Sequence, residues 1–415
     1  MSKISFIDCN GLAAFMSYGF VKAGMEMKTR TGSLDFGNPV AELNRHLLGD
    51  SWSCFFSDDP SDWPDAKADV VVGCPPCSGW SVWSGPANRG PDAAAHEHTR
   101  MFMRYAARIK PKVIIFECVQ QAFTQGRDVM VKYRDMVEEL SGKEYDLHHV
   151  KMNNLQVGGF SYRPRYFWTA VEKGMPFGAQ AVAPKEMPTI MEVIGDLENL
   201  ELQWEPQRYI DEPSRFVASL RSPSGVVDGH INKNNLESRR IQDIFDILGN
   251  EGWKGGMPIN VALKKAVEKN EDKFPQNWLS FEDKLRSKDF YMGFSLAARW
   301  RADSWCNVLT GGALDHVVHP TLERRITHRE AARIQGLPDN WKFADAKSYT
   351  HLGATWGKAV AVQAGQWIGE ATAAAVKGQP NGPSGELIGD REWLIDTDKG
   401  FSRSYVAREW YPNKA

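Results

Sequence analysis

Three kinds of reactive side chain stand at the ends of strand-like runs in this chain: a thiol, a carboxyl group and a pair of guanidiniums. The thiol lies in Val71-Val72-Gly73-Cys74-Pro75-Pro76-Cys77-Ser78. There an apolar run turns at Gly73 and two prolines stiffen the loop that presents Cys77. The carboxyl group is Glu117, which closes the run Val113-Ile114-Ile115-Phe116. Arg163 and Arg165 alternate in an extended segment, so both point to one side. Together they suit covalent attack on an electron-poor ring, with a soft sulfur nucleophile, an acid for a ring nitrogen and a guanidinium for a carbonyl oxygen. Taken singly, each has a plainer reading: a Pro-rich turn with buried cysteines, a surface carboxylate, a solvated edge.

The elements that must position these groups alternate. Strand-like runs at residues 4–8, 53–56, 69–72, 113–116 and 166–171 are separated by helical patterns, notably Ala13 to Ala23, Glu97 to Ile109 and Gly126 to Leu140. Such alternation predicts an α/β fold, a doubly wound and mostly parallel sheet, with ligands at the strands' carboxyl ends. After about Gly178 the pattern gives way to scattered prolines, glycines and tryptophans, which reads as an inserted smaller domain. Helical spacing returns at Ile326 to Gln335 and Val360 to Ala375. The stretch from Gly378 to Gly385 reads as a linker or exposed loop, followed by a tail with Trp393, Phe401, Tyr405, Trp410 and Tyr411.

With 415 residues, 42% of them hydrophobic, the chain can bury a large core. A net charge of −2 gives no global basic field, so any polyanion would have to meet a local cleft. No run is long and apolar enough to span a bilayer, and the start shows no secretory pattern. The six cysteines have no disulfide-framework spacing, and Cys74 and Cys77 form a lone CxxC without a second pair. The expectation is a cytoplasmic, monomeric protein without a metal. His316 and His319 read as ordinary loop histidines.

In these motifs the chain resembles the cytosine-C5 DNA methyltransferases. Pro75-Pro76-Cys77 matches that family's nucleophile loop, Glu117-Cys118-Val119 its Glu-Asn-Val, and Arg163-x-Arg165 the end of its Gln-x-Arg-x-Arg. The block from Arg325 to Asp339 matches the segment supporting the family's recognition domain, and Gly357-Lys358-Ala359-Val360 stands where it has Gly-Asn-Ala/Ser-Val. The matches cover roughly residues 4–175 and 303–376 and flank the irregular region. The resemblance thus implies a catalytic domain in residues 1–183 and 303–378, a target-recognition domain in 184–302 and a tail in 379–415. Arg215, Arg221, Arg239 and Arg240, with the pairs Gly255-Gly256 and Gly311-Gly312, are its candidates for contact with bases or phosphates.

What the resemblance implies is an enzyme of DNA modification, of the kind found in bacterial or phage restriction-modification and working in the bacterial cytoplasm. It acts on a cytosine flipped from double-stranded DNA. Cys77 would add to C6, Glu117 would protonate N3, and Arg165 supported by Arg163 would contact O2. S-adenosylmethionine is the implied donor. Asp8, Asn10, Gly11, Phe15 and Pro75 would border it, with Asp35, Asp58, Lys358 and Val360.

The departures from the family cluster on that side. Of the glycines in its Phe-x-Gly-x-Gly-Gly-Phe turn, Cys9-Asn10-Gly11-Leu12-Ala13-Ala14-Phe15 keeps only Gly11. The ribose-binding acid is missing, with Asp35 the only carboxylate nearby. Asp58 fits the acid expected near the adenine amino group. Cys74 and Cys118 replace a glycine and an asparagine and read as small buried fillers. Lys358 replaces an asparagine near the sulfonium, where like charges cost energy. Its side chain turns to water, or donor binding is weakened, or the donor carries an extra carboxylate. The last would be carboxy-S-adenosylmethionine, giving 5-carboxymethylcytosine. A non-catalytic DNA-binding relative and an RNA cytosine methyltransferase of the same fold stand as alternatives.

Overall fold

A computed structural model describes residues 3–37, 39–81, 86–181, 187–199, 203–204, 231–232, 236–270, 272, 298–309, 317–343 and 355–397. The chain divides into two compact units, Met1–Lys185 with Lys358–Gly400, and Glu186–Gly357 with Phe401–Ala415. Its strands are β1 (Ser5–Cys9), β2 (Glu26–Gly32), β3 (Ser53–Phe56), β4 (Val70–Gly73), β5 (Val113–Cys118), β6 (Tyr145–Asn153) and β7 (Pro164–Glu172). Four two-residue strands follow, β8 (Gln203–Trp204), β9 (Ile231–Asn232), β10 (Ala298–Arg299) and β11 (Val317–Val318), then β12 (Glu386–Gly389) and β13 (Glu392–Asp396).

The first unit is built on one nine-stranded sheet in the order β12-β13-β6-β7-β5-β4-β1-β2-β3. Strands β3, β2, β1, β4 and β5 run parallel, while β7 is antiparallel to both β5 and β6. Central β4 and β5 are buried along their whole length, which is why they read as unbroken Val/Ile runs rather than as alternation. This is the predicted mostly parallel, doubly wound sheet.

Four helices of this unit matter to the site: α1 (Phe15–Lys22), α2 (His96–Ile109), α3 (Gln121–Ser141) and α4 (Val362–Val376). Helices α1 and α4 meet backbone to backbone. A Cβ at Gly19 would lie 2.5 Å from the Gln366 nitrogen, and one at Gly365 would lie 2.9 Å from the Met16 carbonyl. Helix α4 thereby holds the segment just before it, Ala359 and Val360, against the turn that opens α1.

The segment read as a tail after Gly378 contributes two strands. Strand β13 pairs in parallel with β6, and Trp393 stacks on His148 with centroids 5.1 Å apart. Glu392 accepts from Arg127 at 2.6 Å and meets His149 Nε2 at 2.7 Å. These strands are four and five residues long and partly exposed, so their pattern is too short to stand out in the sequence.

In the second unit, helices 236–252 and 259–269 bury Ile244, Phe245, Trp253 and Leu263 in one cluster. Helix His328–Ile334 opens with a capping box between Thr327 and Glu330. Burial would raise the Glu330 carboxyl, but Arg324 at 2.7 Å and His319 hold it below its ordinary value. Arg239 and Arg240 lie in the first of these helices. Arg215, Arg221, Gly311-Gly312, His316, Phe401, Tyr405, Trp410 and Tyr411 lie outside the described residues. Among the described residues, no helix is long and apolar enough to cross a membrane.

Candidate active site

Parallel β4 and β5 put their carboxyl ends side by side, with Gly73 opposite Phe116 in register. The Cys77 loop leaves the first and Glu117 stands at the second. A Cβ on Gly73 would lie 2.6 Å from the Cys9 carbonyl and the Phe102 ring, so the sharp exit from β4 requires glycine there. The loop is pinned beyond Cys77 by Trp80, whose amide donates to the Cys77 carbonyl at 3.0 Å. The Trp80 ring is buried against His96, with centroids 4.7 Å apart. It also lies over Gly126, where a Cβ would come within 2.4 Å of it. Gly126 is the kink in α3. Trp80, His96 and Gly126 were not singled out from the sequence, and only the glycine inside a helical pattern signals the contact.

Glu117 and Arg165 form a buried ion pair, Arg165 Nε to Glu117 Oε1 at 2.6 Å. Strand register explains it, because antiparallel β7 sets Phe167 opposite Glu117 and so brings Arg165 to the end of β5. The Cys74 thiol donates to the other carboxylate oxygen at 3.4 Å. Arg163 is buried just before β7, where its amide donates to Asn153 Oδ1 at 3.1 Å and its guanidinium to the Ala359 carbonyl at 2.6 Å. Burial, and then the neighbouring Arg165, lower the Arg163 guanidinium to about 9.

Cys77 is partly exposed, and its thiol sits below its ordinary value. A hydrogen bond from Cys118 is the largest cause; Arg165 and Arg163 act with it, against burial and Glu117. Cys74 and Cys118 are buried, as fillers would be, but Cys74 also bonds Glu117. Their thiols are held well above the ordinary value by burial, aided at Cys74 by Glu117 and at Cys118 by the bond to Cys77. The Cys74 thiol thus stays protonated and acts as a donor to Glu117.

A narrow crevice with no room for a water molecule lies beside this cluster, lined by Asp8, Gly11, Ala14, Ser17, Ala359 and Val360 among others. Cys74 is also part of its wall, so one residue borders the crevice and bonds Glu117. Ala359 likewise borders it and holds Arg163. The turn that shapes it keeps a glycine-like backbone without the glycines: Asn10, Ala13 and Ala14 have φ of 57°, 52° and 60°. A Cβ at Gly11 would lie 2.0 Å from the Asp8 carboxylate. Asn10 accepts the Ser33 amide at 3.0 Å through Oδ1, and its buried Nδ2 has no protein partner. That unused donor next to the Gly11 turn suits a polar ligand.

The side facing β2 differs from expectation. Arg30 is fully buried there, bonds Asp8 at 3.1 Å and donates to the Gly11 carbonyl. Burial, partly offset by Arg30, raises the Asp8 carboxyl. Asp35 is exposed and Asp58 accepts the Leu34 amide at 3.1 Å, so the two turns adjoin, but neither residue borders the crevice. Phe15 and Pro75 are buried beside the crevice residues in sequence and do not line it. Lys358 is exposed. Among the described residues, no group of three or more His, Cys, Asp or Glu could hold a metal ion.

Residues 56–374 match the family model of the C-5 cytosine-specific DNA methylases. The type II methyltransferase M.DdeI of Desulfomicrobium norvegicum is 23% identical over 297 residues, 69% of this chain and 66% of that protein. M.XorII of Xanthomonas oryzae is 25% identical over 368 residues, 83% of this chain and 78% of that one. The fold is shared with a protein described as a prophage-encoded DNA modification methyltransferase of E. coli. It has a TM-score of 0.59 at 17% identity and covers 90% of this chain and all of that one. The chain belongs to the C-5 cytosine-specific DNA methylase family.

Proposed function

We propose that this protein is a DNA cytosine-C5 methyltransferase that works through a covalent bond from Cys77 to C6 of a flipped-out cytosine. The observation that carries the reading is the shared wall. Cys74 and Ala359 border the crevice and also bond Glu117 and Arg163, so a donor group in the crevice would stand next to a base held by those side chains. S-adenosylmethionine, held by the Gly11 turn, Asn10, Ala359 and Val360, supplies an electrophilic methyl group. The protein does the rest. Cys77 thiolate adds to C6 while Glu117 gives a proton to N3, which leaves C5 electron-rich. Arg165 holds O2, with Arg163 fixing the strand behind it. Loss of the C5 proton after alkylation expels Cys77 and restores the ring.

One observation favours a second donor. Lys358 directly precedes two crevice residues, is exposed, and pairs with no carboxylate among the described residues. A carboxylate on the transferred carbon would give this ammonium a partner, and the product would be 5-carboxymethylcytosine.

Both readings are tested by one experiment. Duplex DNA is incubated with S-adenosylmethionine or carboxy-S-adenosylmethionine, and the digested nucleosides are weighed. A mass gain on cytidine with either donor, absent in Cys77→Ala, is expected. Carboxymethylcytosine lost selectively in Lys358→Asn would establish the second donor; methylcytosine alone with both donors would remove it. No modified base and no binding of either donor would leave a DNA-binding relative without activity.

A further inference from the structure

Arg30 stands in the second half of β2, opposite Asp8 of β1 in parallel register, and is fully buried. The two side chains pair at 3.1 Å, Arg30 Nε to Asp8 Oδ2. The same guanidinium donates through a terminal nitrogen to the Gly11 carbonyl, and its carbon lies 5.4 Å from the centre of the Phe56 ring of β3. We propose that Arg30 is a positioning residue, which clasps the Gly11 turn at Asp8 and at the Gly11 carbonyl and so fixes the shape that the crevice offers to the donor. The proposal rests on the reading of the crevice as the donor site.

The turn needs such a clasp. Asn10, Ala13 and Ala14 all carry positive φ, a conformation that is costly for a residue with a Cβ. Strand β2 fixes the Asn10 end, where the Asn10 amide donates to the Thr31 carbonyl at 2.8 Å and Asn10 Oδ1 accepts the Ser33 amide at 3.0 Å. On the helix side the Tyr18 amide donates to the Ala14 carbonyl at 2.9 Å. Between these anchors the Arg30 guanidinium holds the Gly11 carbonyl. Gly11 lies so close to Asp8 that a Cβ there would come within 2.0 Å of its carboxylate, so the ion pair and the turn pack as one piece. Asp8 and Gly11 line the crevice and Arg30 does not, so Arg30 acts on a ligand through them. A plain structural ion pair would ask for Asp8 alone. The second bond, to a backbone oxygen of the crevice wall, is what such a pair does not need.

The test separates a clasp from a buried ion pair. Arg30→Lys keeps a cation for Asp8 but, without the planar fork, gives up the bond to the Gly11 carbonyl. In the full-length protein, hydrogen exchange is followed by mass spectrometry with no donor present, and S-adenosylmethionine binding is measured by calorimetry. Peptides spanning residues 9–18 are expected to exchange roughly tenfold faster in Arg30→Lys, while β4 and β5 keep their protection. The Kd for S-adenosylmethionine should rise by a similar factor, as for the loss of one hydrogen bond from a charged group. Adding Ala13→Gly and Ala14→Gly, which removes the steric cost of the turn, should restore most of the affinity. Exchange over residues 9–18 equal to that of the unaltered protein, or an unchanged Kd, would overturn the proposal. So would faster exchange in β4 and β5 as well, which would trace the effect to general loosening, or a lost affinity that the two glycines leave untouched. Failure of the donor reading looks different: the exchange difference persists, and the unaltered protein itself binds no S-adenosylmethionine.

Discussion

Two alanines hold a backbone conformation that glycine adopts freely. Ala13 and Ala14 lie at φ of 52° and 60°, in the turn between β1 and α1, and both are buried. An L-residue in that left-handed region costs roughly 1–2 kcal/mol. Glycine avoids this steric cost but loses more chain entropy on folding, roughly 0.5–1 kcal/mol. The balance predicts that Ala13→Gly and Ala14→Gly each stabilise the protein by about 0.5–1 kcal/mol. For a unit of this size, 1 kcal/mol corresponds to a rise in Tm of about 2–4 °C. The assay is thermal unfolding followed by circular dichroism, with Ala371→Gly in the interior of α4 as the opposite control. Ala371 sits in regular helix, so its glycine variant should lose about 1 kcal/mol. If Ala13→Gly and Ala14→Gly lower Tm as Ala371→Gly does, the turn is not left-handed and the description of the crevice built on it fails.

Two other perturbations read different parts of the structure. Gly126→Ala drives a Cβ into the Trp80 ring, 2.4 Å away, and Trp80 holds the Cys77 carbonyl; kcat/KM for DNA modification should fall roughly 10- to 100-fold with secondary structure retained, and an unchanged value would refute the pinning of the loop. Burial lowers His148 and His149 to about 4, so both are neutral when folded, whereas the unfolded chain protonates them below pH 6.5. Stability from this pair is complete above pH 6.5 and is lost as pH falls towards 4, about 3 kcal/mol for each. His148→Phe keeps a ring for Trp393 to stack on and removes one titrating group, so urea denaturation across this range should show a shallower pH slope; an identical slope would refute it.

The reactive residues were legible because each sits in a short local motif at a strand end: the loop after Gly73, the run before Glu117, the alternation around Arg165. Their partnerships were not. The Glu117–Arg165 pair depends on β7 running antiparallel to β5, and sequence alternation does not reveal strand direction. Arg30 was passed over because the polar run Lys28-Thr29-Arg30-Thr31 carries no apolar pattern to mark a strand. In the structure it is an inner strand between β1 and β3, and burial there is tolerated because Asp8 and the Gly11 carbonyl take up the guanidinium. Cys74 read as filler since a thiol declares itself only by what it touches, here Glu117. The hairpin of β12 and β13 was hidden for a simpler reason, its strands being too short to carry a period.

The charges at the site bear on the choice of donor. Arg165 pairs with the buried Glu117, while the Arg163 guanidinium is turned to the Ala359 carbonyl. On the crevice side, Asp8 and Arg30 cancel each other. A sulfonium entering the crevice therefore meets no net cation from that pair, and the exposed Lys358 stands in water, where two unit charges 4 Å apart interact by only about 1 kcal/mol. The expected penalty against a methyl donor is thus largely removed by solvent. The same ammonium would gain from a carboxylate only by leaving water, so the carboxylated donor must bring Lys358 inward to be preferred. Donor choice then turns on whether the Lys358 side chain closes over Ala359 and Val360, a movement that the neutral methyl group gives it no reason to make.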